Sequence, residues 1–299
     1  MLMPEKIVNN KELFINKRSE LLDPLAYNLS EEVKWFSFNE LSYNNQDLFP
    51  IAILGEGPPL LLIHGFDSSL LEFRRIAPLI DHKFSLIIPD LYGFGFSPRP
   101  KEGIYNKESI VNHLGKIINL FYKQENFGIV GASMGGAIAI ELARKYPNEI
   151  DKLLLLSPAG LTGKQIQIPE PFNHLGACFL EQKSIRTMLC KQAFANPSKD
   201  VGEPEKQIAS FHVKVPGWKQ SLASFAKSGG VAGCGIPVPK KPIHVIWGSN
   251  DRILSKKQKE GAKALLRNNQ YEEIDNCGHL PHIDQPKTIA NIILNGEYL

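Results

Sequence analysis

Three observations predict an α/β protein with a mostly parallel sheet flanked by helices. Apolar runs of strand length alternate with stretches of helical periodicity over most of the chain. Several of these runs are continuous rather than alternating, as in strands covered on both faces. One interior stretch, residues 162–239, breaks the alternation and reads as a mainly helical insertion.

The elements follow in order. Residues 1–34 are polar and weakly periodic, an N-terminal extension with room for short helices. Trp35–Leu41 and Leu48–Leu54 read as strands joined through Asn44 and Asn45. Gly55 to Pro59 is turn chemistry, and Leu60–His64 and Phe84–Asp90 are buried strands. Glu108–Tyr122 places Ile110, Val111, Leu114, Ile117, Ile118 and Phe121 at helical spacing. The run Phe127–Val130 leads into a helix from Met134 that Pro147 stops. Leu153–Ser157, Ile243–Trp247 and Tyr271–Asp275 complete the strands. Ser255 with Gln258 forms a capping box for a helix through Leu266, and Pro286 starts a last helix. The organisation expected is therefore an extension over 1–34, a core over 35–161 and 240–299, and a helical insertion over 162–239 that lies over the sheet.

Composition narrows the function classes. The 299 residues carry 34 Lys+Arg against 31 Asp+Glu, with 43% hydrophobic residues, which excludes a disordered chain. No basic block marks a nucleic-acid binder; the cluster Lys256, Lys257, Lys259 and Lys263 reads as a solvated helix face. No apolar run approaches the ~18–20 residues of a membrane helix. The N-terminus lacks an apolar signal region, and four cysteines without zinc or CxxC spacing fit free thiols, so a cytoplasmic chain is expected.

The chemistry is read from Gly131-Ala132-Ser133-Met134-Gly135, which fits G-x-S-x-G between a strand and a helix. That setting lifts a serine hydroxyl out of a sharp turn at the sheet's C-terminal edge, and glycines leave the turn room. The Met134 N–H, at the helix N-terminus, faces the place where an oxyanion would form. A serine needs a base. Downstream, Asp251 and His279 each lie just past a strand, on the edge where ligands collect in open α/β sheets. His279 would take the Ser133 proton and Asp251 would orient the imidazole. The competing readings are an incidental serine in a glycine-rich turn and, for Asp251, a helix-flanking turn residue. His64-Gly65-Phe66-Asp67 follows a strand, so the Phe66 N–H is the second expected oxyanion donor, with His64 holding the turn. His282 is expected to pack beneath the His279 loop and Cys277 to be a packed thiol. Neither a metal nor a cofactor is expected, because His279 and His282 lack a third ligand at metal spacing.

Taken together, these motifs resemble the α/β-hydrolase superfamily. They include Asp90-Leu-Tyr-Gly93-Phe-Gly95-Phe-Ser97, Trp247-Gly-Ser-Asn-Asp251-Arg and Gly278-His279-Leu-Pro-His-Ile-Asp-Gln-Pro286. The resemblance covers residues 35–299, with the insertion in the position of that family's cap. The wording around His64 and around Phe225-Ala-Lys-Ser-Gly-Gly is similar to capped epoxide-hydrolase-like and esterase-like members of cyanobacteria and plastids. A serine nucleophile, rather than the aspartate of epoxide hydrolases and haloalkane dehalogenases, implies acyl chemistry on an ester, thioester, lactone or carbon–carbon bond. The substrate implied is a small molecule with a hydrophobic group. The alternative is a small-molecule receptor on a hydrolase scaffold with little turnover.

Overall fold

A computed structural model describes residues 9–38, 47–123 and 125–296. Eight strands form one sheet: β1 Val33–Ser37, β2 Leu48–Leu54, β3 Pro59–Ile63, β4 Ser85–Pro89, β5 Phe127–Ala132, β6 Ile150–Leu156, β7 Ile243–Gly248 and β8 Gln270–Ile274. Their order is β1-β2-β4-β3-β5-β6-β7-β8. β2 runs antiparallel to β1 and β4, and the pairs from β4 through β8 are parallel.

The continuous apolar strands are explained by what lies on each face. Leu61, Ile63, Phe127, Ile129, Leu153 and Leu155 join one core, beneath helices Lys107–Phe121 and Met134–Lys145. Leu60, Leu62, Val130, Ala132, Leu154 and Leu156 join the other, with helix Pro286–Asn295. Successive side chains therefore serve opposite layers, and none of these positions can be polar.

The N-terminal segment differs from a polar extension. Helices Asn10–Arg18 and Pro24–Glu31 pack onto the second core. Phe14 is buried edge-on against Trp35 and Phe96, with ring centroids 5.7 and 5.0 Å away. Asp23 caps the second helix through the Leu25 N–H and accepts a 2.6 Å bond from the Arg74 guanidinium. The end of the first expected strand and the Asn44–Asn45 turn fall on 39–46, outside the described residues.

Between β6 and β7 lie helices Phe172–Glu181, Lys183–Gln192, Glu203–Ser210 and Trp218–Lys227. Ser255 caps helix Lys256–Leu265 with the full capping box. On that helix Lys259 pairs with Glu273 at 2.8 Å, and Lys263 sits over the Tyr271 ring.

Candidate active site

Ser133 stands in the turn between β5 and the helix that begins at Met134, with φ +52° and ψ −117°. A side chain at positive φ is strained by about 1–3 kcal/mol and persists only where its surroundings enforce it. Here they do. The Ser133 N–H donates to Leu156 O at 2.9 Å, and Ser133 O accepts from Gly136 and Ala159 at 2.9 and 3.0 Å. Gly135 is required sterically: a Cβ there would lie 2.1 Å from Ile63 O.

The three side chains singled out in the sequence meet. His279 Nε2 lies 2.8 Å from Ser133 Oγ, and His279 Nδ1 lies 2.8 Å from Asp251 Oδ2. A carboxylate can only accept, so Nδ1 carries the proton and Nε2 is left to receive the serine hydroxyl. Asp251 Oδ2 also accepts from Trp247 Nε1 at 2.9 Å, and Oδ1 accepts from Ile253 and Leu254 N–H at 2.8 and 3.0 Å. Burial opposes the charge on Asp251, but His279 and these two N–H groups outweigh it and hold the carboxyl below its usual range. The histidine loop is fastened in turn by Asp284, which accepts from Gly278 N–H at 2.6 Å and from Ala195 N–H at 2.9 Å.

The facing turn carries His64 to Asp67. His64 Nε2 accepts from Leu91 N–H at 3.1 Å, so Nδ1 is the donor to Gly65 O at 2.8 Å. Burial pushes its pKa down to about 4, which leaves a neutral ring that holds the turn. The Gly65 N–H is taken up by both oxygens of Glu72. Among the described residues, the N–H groups of Phe66 and Met134 have no protein acceptor. His282 is fully buried, with its ring tilted against Phe73 and Nε2 3.1 Å from Glu72. Burial pushes the Cys277 thiol up to about 12, so it is inert as a nucleophile near neutral pH.

Two polar groups of the site were not anticipated. Glu72 is one. The other is Asp67, at φ +49°, which receives three donors from the helical insertion. Arg186 reaches Oδ2 at 2.6 Å, while His212 Nε2 and Trp218 Nε1 reach Oδ1 at 2.9 and 2.8 Å. The one available signal was an acid next to an expected oxyanion donor. Its partners lie more than a hundred residues further on.

Ser133, His279 and Phe66 border a cavity of about 250 Å³. Leu180, Leu189, Ala193, Ile253 and Leu280 supply its apolar wall. Among the described residues, no group of three or more His, Cys, Asp or Glu is arranged to hold a metal.

The family described as alpha/beta hydrolase fold matches residues 58–184. An alpha/beta hydrolase domain-containing protein of Arabidopsis thaliana, VTE7, is 29% identical over 250 residues, covering 82% of this chain and 75% of that protein. Lipase 3 of a Moraxella species is 28% identical over 256 residues, covering 79% of this chain and 76% of the lipase. A solved meta-cleavage product hydrolase of Pseudomonas fluorescens superposes with a TM-score of 0.70 at 23% identity, covering 84% of this chain and 94% of that one. With an eight-stranded sheet, a matched segment that spans the Ser133 turn, and these similarities, the chain has the α/β-hydrolase fold.

Proposed function

We propose that the protein is a serine hydrolase that works through an acyl-enzyme on an ester-type or related acyl bond. The observation that carries this reading is the continuous hydrogen-bonded chain Ser133–His279–Asp251 opening on the apolar cavity. In the proposed reaction His279 Nε2 takes the Ser133 proton as Oγ attacks the carbonyl carbon. Asp251 stabilises the resulting imidazolium. The free N–H groups of Phe66 and Met134 receive the oxyanion. His279 then protonates the leaving group, and a water molecule activated by the same ring releases the acid.

The segment 162–239 acts as a cap over a core made of 35–161 and 240–299. The hydrophobic part of the substrate packs against Leu180, Leu189 and Leu280, and no cofactor takes part. Similarity to a lipase and to a meta-cleavage product hydrolase supports a hydrolytic reaction.

The test is hydrolysis of short and medium p-nitrophenyl esters by the wild type and Ser133→Ala. Loss of the nucleophile is expected to cost at least about 10⁴-fold in kcat. Equal activity would overturn the role of Ser133. Failure of a fluorophosphonate to label Ser133, together with thermal stabilisation by a bound small molecule, would instead identify a receptor.

A further inference from the structure

Helix Phe172–Glu181 has an inner face and an exposed apolar outer face. Its inner face is occupied: Asn173 and Ala177 are buried, Asn173 Nδ2 bonds to Ala223 O on helix Trp218–Lys227, and Leu180 lines the cavity that holds Ser133. Its outer face is unoccupied. Phe172, Leu175 and Phe179, at positions i, i+3 and i+7, form one stripe and are 64%, 58% and 50% exposed. The extended segment leading into the helix adds to it. Ile166 and Ile168 alternate with Gln165 and Gln167 and are 77% and 41% exposed. The Ile168 N–H bonds to Ala226 O, which seats this segment beside the same helix pair. An exposed apolar patch of this kind marks a contact surface.

The charge around the stripe identifies the partner. Lys227 is paired with Glu170 at the start of the helix, and Lys219 with Glu181 at its end. Lys214 reaches the same Glu181 at 3.7 Å, so two cations share that one acid, and Lys164 and Lys183 add further cations before and after the helix. Residues 162–239 hold nine Lys and Arg against five Asp and Glu, so the insertion carries more positive charge than the whole chain's net +3.

We propose that this face docks on a lipid bilayer containing anionic lipid. Phe172, Leu175, Phe179 and the two isoleucines enter the boundary between headgroups and acyl chains, and the lysines meet the phosphates. A second copy is a poorer partner, because a symmetric contact would bring the same lysine fringe against itself. Docked this way, the helix presents one face to the bilayer and the other, through Leu180, to the cavity, so a lipophilic molecule would have a short path between them.

The test is vesicle flotation of the full chain, read as binding, so it does not depend on the catalytic reading. The wild type is expected to float with vesicles of mixed phosphatidylcholine and phosphatidylglycerol, and about tenfold less with phosphatidylcholine alone. Added salt should weaken the binding. The triple variant Phe172→Ser, Leu175→Ser and Phe179→Ser is expected to lose about a hundredfold in partitioning or more, with its thermal midpoint unchanged. The pair Lys164→Glu and Lys183→Glu should abolish the preference for anionic vesicles while keeping the midpoint. A wild type that floats with neither vesicle overturns the proposal, as does equal flotation with both. A wild-type dimer that the triple variant converts to monomer, without vesicle binding, overturns it in favour of a second copy.

Discussion

Replacing Asp67 by asparagine keeps its shape and removes its charge. Asp67 and Arg186 are each 8% exposed in their side chains, so the variant leaves a buried guanidinium with Ala209 O, Ser210 Oγ, Leu180 O and the Trp218 ring but without a carboxylate. Breaking a buried pair in this way costs roughly 3–5 kcal/mol. Because the amide oxygen still accepts from His212 or Trp218, about 3 kcal/mol is the expected figure, or roughly 5 °C in thermal midpoint for a chain of this length. The pH dependence follows from the direction of the shift. Burial would raise the Asp67 carboxyl, but His212 and then Arg186 outweigh it and hold it below its usual range. As pH falls, the unfolded chain therefore takes up this proton before the folded one. The stabilisation is complete above about pH 4 and is lost as pH falls through the lower folded value. The gap between wild type and Asp67→Asn should thus be constant near neutrality and close only in strong acid.

The same substitution bears on rate. Asp67 directly follows Phe66, whose N–H is the proposed oxyanion donor, and its three bonds tie that turn to the insertion. Losing an oxyanion donor outright costs roughly 100- to 1000-fold in kcat. Tilting the turn should cost less, about 10- to 100-fold, mostly in kcat rather than KM. Calorimetry across pH and ester kinetics at room temperature, well below both midpoints, measure the two effects separately. An unchanged midpoint at neutral pH, or a gap that widens in acid, would refute the electrostatic argument. Wild-type kcat in a clearly destabilised variant would refute the positioning argument.

Phe14→Ala should destabilise the fold by about 3–5 kcal/mol, because it empties a site closed by Trp35 and Phe96; a denaturation midpoint matching the wild type would return the first helix to the status of a loose extension. Gly135→Ala places a methyl group 2.1 Å from Ile63 O, so labelling of Ser133 by a fluorophosphonate should be largely lost, and unaltered labelling kinetics would contradict the tight turn. Ser255→Ala removes the capping oxygen of helix Lys256–Leu265 and should cost about 1 kcal/mol in chemical denaturation without changing ester hydrolysis.

What could be read in the sequence shares a physical cause. Ser133, Asp251 and His279 sit just past β5, β7 and β8, and parallel strands bring their C-terminal ends to one edge, so strand assignment alone brings the residues together. The strands are legible because both faces of the sheet are covered, which forces every position in Leu60–Ile63 and Leu153–Leu156 to be apolar. Asp67 has no comparable signature. Its partners come from one helix of the insertion, the segment after another and the start of a third, and a contact between single side chains leaves no period in the chain. Short helices in the N-terminal segment were expected, but their packing onto the core was hidden for a related reason: at nine and eight residues they are too short for Phe14, Ala26 and Leu29 to show a period.

The insertion shows where composition stops being informative. Its aromatic and aliphatic residues admit two readings from sequence, a lining for a hydrophobic substrate or a small core of its own. The structure divides them three ways. Leu180 and Leu189 line the cavity, Phe211, Trp218 and Phe225 are buried, and Phe172, Leu175 and Phe179 face outward. The outward set shares a helix with Leu180, and helical spacing alone separates the two: Phe172, Leu175 and Phe179 fall within one narrow arc, with Leu180 turned about 110° away from its centre. A core would have selected one arc and left the other polar. That the exposed arc is apolar as well is the feature that folding of this chain does not require, and it is the physical reason to look for a second apolar phase outside the molecule.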